Sequence, residues 1–242
     1  MSLRITTWAT QAEDGRLAGL DGRYPWGEAR TLPLADRAAT DSADLEVTIA
    51  RAPDDGGELL VGGRGTSTDN RIIATRGARL WRRAPWPTND RLFRMAGADP
   101  RDGALVVGGT QASRAELVAK LTSTGVPVRE APHLTAGNLE TCAIVIFPLR
   151  AGALPVDAMA VLAARRLLMS GPCSPAFGLR AGFSHLEAGF TDHAVVNVVA
   201  ALRHWDAFST LRTWGAFAAE RHRASVVLPR LARDLLQETR SR

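Results

Sequence analysis

The chain has 242 residues, 45% hydrophobic and 23% charged, with a formal net charge of +5. That is room for one large α/β domain or two small ones, with an ordinary globular balance and a core that needs no staples. Two cysteines, Cys142 and Cys173, are too few for a disulfide framework or a cysteine zinc site, and read as buried thiols of a reducing compartment.

No stretch reaches the roughly 18 unbroken apolar residues of a membrane helix. The start, MSLRITTWATQAEDG, lacks a signal peptide's apolar centre of about 7–15 residues. The expectation is a cytoplasmic protein with no membrane span. The thirty basic residues include one lysine, Lys120, and are scattered rather than gathered in a stripe with interleaved aromatics. Arginine's planar fork suits phosphate, so the charge is compatible with a nucleotide or a nucleic acid.

Residues 1–93 are rich in Gly, Asp, Arg and Trp and offer short strands at 4–9, 45–50, 58–61 and 71–75. The last two flank GGRGTSTDN, which predicts a hairpin with a long loop; Arg64 and Asp69 lie in it, without the GxxxxGK[ST] of a phosphate loop. RRAPWPTN, residues 82–89, carries two prolines and reads as a connector.

From Asp102 the pattern becomes regular. Residues 104–107 predict a strand that ends in Gly108-Gly109. An amphipathic helix over 113–124 carries Leu117, Val118 and Leu121 on one side and stops at Gly125. A short strand at 126–129 and a short helix or turn at 134–141 follow. The apolar run 143–147 is a strand buried on both faces. Residues 157–169 predict a deep helix, whose last three residues are alternatively the next strand. Helices over 192–204, 206–223 and 226–240 close the chain, with Thr191 or Asp192 as a cap of the first. This is the grammar of a Rossmann-like parallel sheet with flanking helices at 94–242, preceded by a short strand-rich region at 1–93.

Three segments carry a family resemblance: DGALVVGGTQASRAELVAKLTSTGVPV, AMAVLAARRLLMSGPCSPAFGLRAGFSHLEAG and WGAFAAERHRASVVLPRLARDLL. Over about 140 residues the chain resembles the C-terminal, donor-binding half of bacterial GT-B-fold glycosyltransferases of the CgeB-like or family 1 type. The first segment resembles that half's opening β-α-β unit. The second resembles its donor-site helix, next strand and following loop, and the third its closing helices. The resemblance implies transfer of a sugar from a nucleotide-sugar donor to an acceptor, with no further cofactor and no metal. In the family an acidic residue at the start of the donor-site helix grips sugar hydroxyls. Here that position falls on Pro155, with Asp157 the nearest carboxylate, and Leu149 and Arg150 stand where related enzymes carry the first of paired glutamates. Residues 1–93 match no part of the family and form a reduced acceptor-like region.

The candidate donor site collects Gly108 and Gly109, whose backbone admits close approach of a phosphate, Arg114 in the first turn of the following helix, and Arg150 at a strand's carboxyl end. Asp157 would bind donor hydroxyls or cap its helix. Ser174 and Gly178 belong to the loop that would touch sugar or base. Each also has a plain structural reading as a tight turn, a solvated arginine or a rigid connector. For acid–base work the candidates are His133, Asp14 and Asp21. The run SHLEAGFTDH holds His185, Glu187, Asp192 and His193 without the i, i+4 histidine pair of a helical zinc site. Trp8, Trp26, Trp81 and Trp86 are a possible sugar platform or simply core. Two other readings stand beside the transferase. One is a non-catalytic binding or assembly module of the same fold, with a protein partner or a second copy of itself. The other is a nucleic-acid-directed protein.

Overall fold

The computed structural model describes residues 3–9, 22–25, 27–33, 45–48, 50–51, 58–61, 82–85, 87–95, 103–149, 157–172, 179–230 and 233. Contacts divide the chain into two compact units, 1–90 with 221–242, and 91–220. Asp14, Asp21, Arg150, Pro155, Cys173, Ser174 and Gly178 lie outside the described residues, as do the strand expected at 71–75, the Gly-rich loop before it, and Trp26, Trp81 and Trp86.

The first unit contains two sheets. Strands β1 (Leu3–Ala9), β2 (Gly22–Tyr24), β3 (Gly27–Pro33) and β4 (Leu45–Thr48) form one, in the order β2-β3-β1-β4. β1 runs parallel to β3 and β4, and β2 is antiparallel to β3. β5 (Ala50–Arg51), β6 (Glu58–Val61) and β7 (Arg82–Pro85) form an antiparallel sheet in that order. The connector read at 82–89 is thus a strand over its first half. Two prolines exclude a central strand, but β7 is an edge strand, where a missing donor is tolerated. Asp90 accepts a hydrogen bond at Oδ1 from the Ser225 amide, 3.0 Å away, at the start of the helical residues 224–230.

The second unit is the α/β domain. After α1 (Asp90–Arg94) come β8 (Ala104–Val107), α2 (Gln111–Ser123), β9 (Val128–Ala131), α3 (Ala136–Glu140), β10 (Ile144–Ile146), α4 (Ala158–Ala163), β11 (Leu167–Ser170) and β12 (Leu186–Glu187). α5 (Thr191–Arg203), a 3-10 turn (Trp205–Phe208) and α6 (Ser209–Glu220) complete it. The five strands are all parallel and lie in the order β12-β11-β10-β8-β9. Numbered along the chain, that is the 2-1-3-4-5 arrangement of a doubly wound sheet. The Rossmann-like architecture read from the sequence is the observed one.

Side-chain alternation explains why the sheet is covered on both faces. Val106, Ile144, Ile146, Leu167 and Met169 pack in one cluster with Leu117 and Leu121 of α2 and Ala194, Val198 and Ala201 of α5. The intervening Leu105, Val107, Val145 and Leu168 are buried too. Every residue of α4 is buried, and α6 packs on it. The approach is close at Gly215, where a Cβ would stand 2.7 Å from Leu162 Cδ2 and 2.8 Å from the Ser184 carbonyl oxygen.

Three of the differences from expectation have a plain local reason. β9 starts at Val128 because the Val126 amide closes the end of α2 on the Leu121 carbonyl, with Gly125 left-handed at φ +78°. The helix read through Met169 ends at Ala163: Arg165 takes φ +57°, its amide bonds Leu162 O, and the Arg166 amide bonds Val161 O, both at 3.0 Å. That closure frees Leu167–Ser170 for the sheet, the alternative the pattern left open. Phe190, not Thr191 or Asp192, occupies the capping position of α5, with no side-chain cap bond.

Candidate functional site

A cleft of about 230 Å³ opens at the carboxyl ends of β8 and β10. These neighbouring strands mark the point where the chain's course across the sheet reverses, since β8 leads outward to β9 and β10 leads the other way to β11. Connections leaving the two strands diverge there and leave a crevice. Its walls are the Gly108–Thr110 turn, the flank of α2 through Ser113, Glu116 and Leu117, the segment Phe147–Leu149, and Thr191 at the start of α5.

Gly108 and Gly109 carry the chain from β8 into α2 at φ +73° and +70°, a backbone that a Cβ disfavours. The Gly108 amide still serves the ladder, donating to Ala131 O at 3.3 Å. Thr110 is the N-cap of α2: its Oγ1 accepts from the Ser113 amide at 3.2 Å. The same Oγ1 donates to Ser113 Oγ at 3.1 Å, and Ser113 Oγ donates to Thr110 O at 2.9 Å. The first intrahelical bond runs from the Arg114 amide to Thr110 O. Gln111 and Ala112 therefore have amides with no intrahelical acceptor, at the positive end of a 13-residue helix.

Arg114 lines the cleft but is turned back on the chain. Its Nη1 donates to Gly109 O at 3.0 Å and Gly108 O at 3.3 Å, and its Nε stands 3.5 Å from Glu130 Oε2. The side chain is 13% exposed, and the Nε is buried without a hydrogen bond. The guanidinium thus fastens the glycine turn from beneath, and Glu130 balances its charge. Along the same wall Lys120 sits 3.6 Å from Glu116 and 2.7 Å from Asp192 Oδ1, tying α2 to the start of α5. The Asp192 hydrogen bond is the main cause that raises the Lys120 ammonium above its ordinary pKa.

Gly108, Gly109 and Arg114 of the expected donor set meet at this cleft. Asp157 does not line it. It stands at the entry to α4 with φ −61° and ψ −16° and makes no side-chain cap bond, so the expected capping does not occur. His133 is exposed in the turn after β9 and is not among the lining residues. Thr110, Ser113, Glu116 and Thr191 were not singled out as site residues, although Thr110, Ser113 and Glu116 recur at intervals of three along α2. Polar residues at that spacing form a stripe, and a polar stripe beside a Gly-Gly turn is the signal that locates them.

Elsewhere in the unit, burial pushes the Cys142 thiol up to about 11, which keeps it protonated and unreactive. His185 is 1% exposed, with Nδ1 3.2 Å from Ser184 Oγ and Nε2 3.6 Å from Glu187 Oε1. Burial lowers its pKa, against the raising effect of Glu187. Among the described residues no three His, Cys, Asp or Glu side chains gather as a metal site, and no helix is long and apolar enough to cross a membrane.

Fold and cleft together define an α/β protein with a small crevice at the reversal point of a parallel sheet, the position where such sheets take their ligands. No protein-family model matches the sequence, and no curated protein matches it.

Proposed function

We propose that the α/β unit binds a nucleotide sugar through its diphosphate at the Gly108–Ser113 turn, and that the protein transfers the sugar to an acceptor. The observation that carries this reading is the cleft at the carboxyl ends of β8 and β10, built from a glycine turn and the start of α2. Gly108 and Gly109 fix the turn's backbone before a ligand arrives and put no Cβ in its way. Such a backbone suits a phosphate, and it stabilises charge that develops on a departing diphosphate. The resemblance to glycosyltransferase donor domains supplies the reaction class. In that reaction the bond from the anomeric carbon to the diphosphate oxygen breaks as the acceptor oxygen attacks.

The size of the cleft limits what it holds. About 230 Å³ falls below the roughly 300 Å³ at which pockets begin to enclose drug-sized ligands, so it suits a diphosphate and an adjoining sugar rather than a whole nucleotide sugar. Pro155 at the family's acidic position favours a second reading, a module that binds nucleotide without turnover.

Thermal unfolding with nucleoside diphosphates and nucleotide sugars tests the proposal. A ligand at a hundred times its Kd adds about 2.7 kcal/mol to stability. A selective rise in the midpoint with one nucleotide supports a donor site, and release of free diphosphate on adding acceptors separates transfer from binding alone. No shift at millimolar ligand would sink both nucleotide readings and turn attention to protein or nucleic-acid partners.

A further inference from the structure

The side that α6 turns to solvent is aromatic and almost without charge. Trp214 is 53% exposed and Phe217, one turn on, is 69% exposed. Their rings meet edge to face, with centroids 5.9 Å apart, and exposed Thr210 and Thr213 flank them. Gly215, Ala216 and Ala219 form the buried side of the helix. The Arg180–Ser184 turn lies on α6 at Gly215, where an added Cβ would stand 2.8 Å from the Ser184 carbonyl oxygen. One residue from that contact, Phe183 is 62% exposed, with the Arg180 guanidinium carbon 5.8 Å from its ring centroid. α6 itself carries two charges: Arg212, whose guanidinium carbon lies 4.1 Å from the Trp205 ring centroid, and Glu220, its last residue. None of these residues lines the cleft. A helix face that meets only water is ordinarily charged or polar. This one, in a chain 23% charged, has the composition of an interface core, rich in aromatics and poor in charge.

Size and charge select the occupant. At ~200–250 Å² for an aromatic side chain, the three leave about 400 Å² open. One side of a standard interface covers about 800 Å², and between like subunits about 65% of it is apolar, roughly 500 Å². The patch supplies most of that. Two copies that each carry +5 repel one another at long range, and contact is least opposed through an uncharged face. An anionic membrane is met instead by aromatics interleaved with cations, and the cation of α6 is turned onto Trp205. We propose that α6 is the centre of a twofold interface with a second copy of this chain, the two helices running antiparallel. A twofold axis midway along α6 sets Trp214 of one copy against Phe217 of the partner subunit, and the reverse. It also brings each Glu220 to the first turn of the facing helix, where the macrodipole is positive. A parallel pair would set the two Glu220 carboxylates side by side.

The test is sedimentation velocity of the full chain over a range of concentrations. The samples are wild type, Trp214→Glu, Phe217→Arg, an equimolar mixture of those two variants, and Val196→Glu, which alters an exposed apolar residue of α5. Wild type should sediment as a dimer at micromolar concentration. Each α6 variant should weaken dimerisation at least ~30-fold, as loss of a central aromatic anchor does. The mixture should dimerise again, because the introduced carboxylate and guanidinium then face each other across the axis. Val196→Glu should behave as wild type. Circular dichroism checks that each variant is folded, and Phe217→Thr, which matches its neighbours Thr210 and Thr213, replaces a charged variant that is not. A wild type that stays monomeric overturns the inference, as does one that sediments as a monomer with phosphatidylglycerol vesicles. A dimer that both α6 variants keep, or that Val196→Glu also loses, overturns it too, and a mixture that stays monomeric refutes the antiparallel pairing.

Discussion

Alanine at Gly109 and at Gly108 makes a matched pair that tests the cleft's geometry. Both residues are left-handed, at φ +70° and +73°, so an added Cβ costs each about the same backbone strain, roughly 1 kcal/mol. The space around them differs. A Cβ on Gly108 meets only Pro148, at 3.8 and 3.9 Å, which is ordinary contact. A Cβ on Gly109 stands 3.2 Å from both Pro148 Cγ and Ser113 Oγ. Neither neighbour yields freely, because Pro148 is a ring and Ser113 Oγ is held by Thr110. Crowding of this kind adds on the order of 1 kcal/mol. At about 2–4 °C per kcal/mol for a chain of this size, Gly108→Ala should lower the midpoint by roughly 2–4 °C and Gly109→Ala by about twice that. The assay is thermal unfolding by circular dichroism, repeated with the nucleotide that stabilises wild type. Gly109→Ala should also lose most of the ligand's stabilisation, since the displaced hydroxyl belongs to the cleft, while Gly108→Ala keeps it. Equal losses in the two variants, or a full ligand response in Gly109→Ala, would refute the reasoning.

Two further outcomes follow from packing and burial. Gly215→Ala in α6 pits a helix-propensity gain of about 1 kcal/mol against overlap with Leu162 and with the Ser184 backbone oxygen, which costs about 1–3 kcal/mol. The variant should unfold at lower temperature, and a higher midpoint would show that α6 is not in close approach. Because burial depresses the His185 pKa, the folded protein resists protonation that the unfolded chain accepts below 6.5. Stability should therefore fall as pH drops below 6.5, by at most about 1.4 kcal/mol per pH unit from this group, and His185→Gln should flatten that slope; parallel slopes would count against a neutral buried histidine.

The sheet was legible where one signal dominated. Runs such as ALVV and IVI, apolar at every position, mark strands covered on both faces, and Gly125 marks the end of α2. Legibility failed where geometry came from a residue type that does not advertise it. Arg165 adopts the left-handed turn that glycine usually takes, so VLAARRLLM keeps reading as helix past the true break. β12 has two residues, and β2 and β3 are rich in glycine and charge, so alternation had little to act on. At the site, the glycine turn was readable because its residue type states its conformation. Arg114 was named from its place on α2, but where its side chain points depends on Glu130, which comes from another strand, and no local pattern encodes that pairing.

That pairing bears on what holds a ligand in the cleft. The chain's net charge of +5 invites a reading in which arginine captures the anion. Among the described lining residues, however, Arg114 is the only cation, and its guanidinium is engaged with two glycine carbonyls and a carboxylate. Swinging it toward a ligand would give up those bonds, release the turn it fastens and leave Glu130 without its counter-charge. On the nucleotide-sugar reading, what the described residues offer a ligand here is the oriented backbone of the Gly108–Thr110 turn, since the hydroxyls of Thr110 and Ser113 already bond within it. Dipoles act over short range and depend steeply on direction. On that reading Arg114 contributes by fastening Gly108 and Gly109, whose turn lines the cleft.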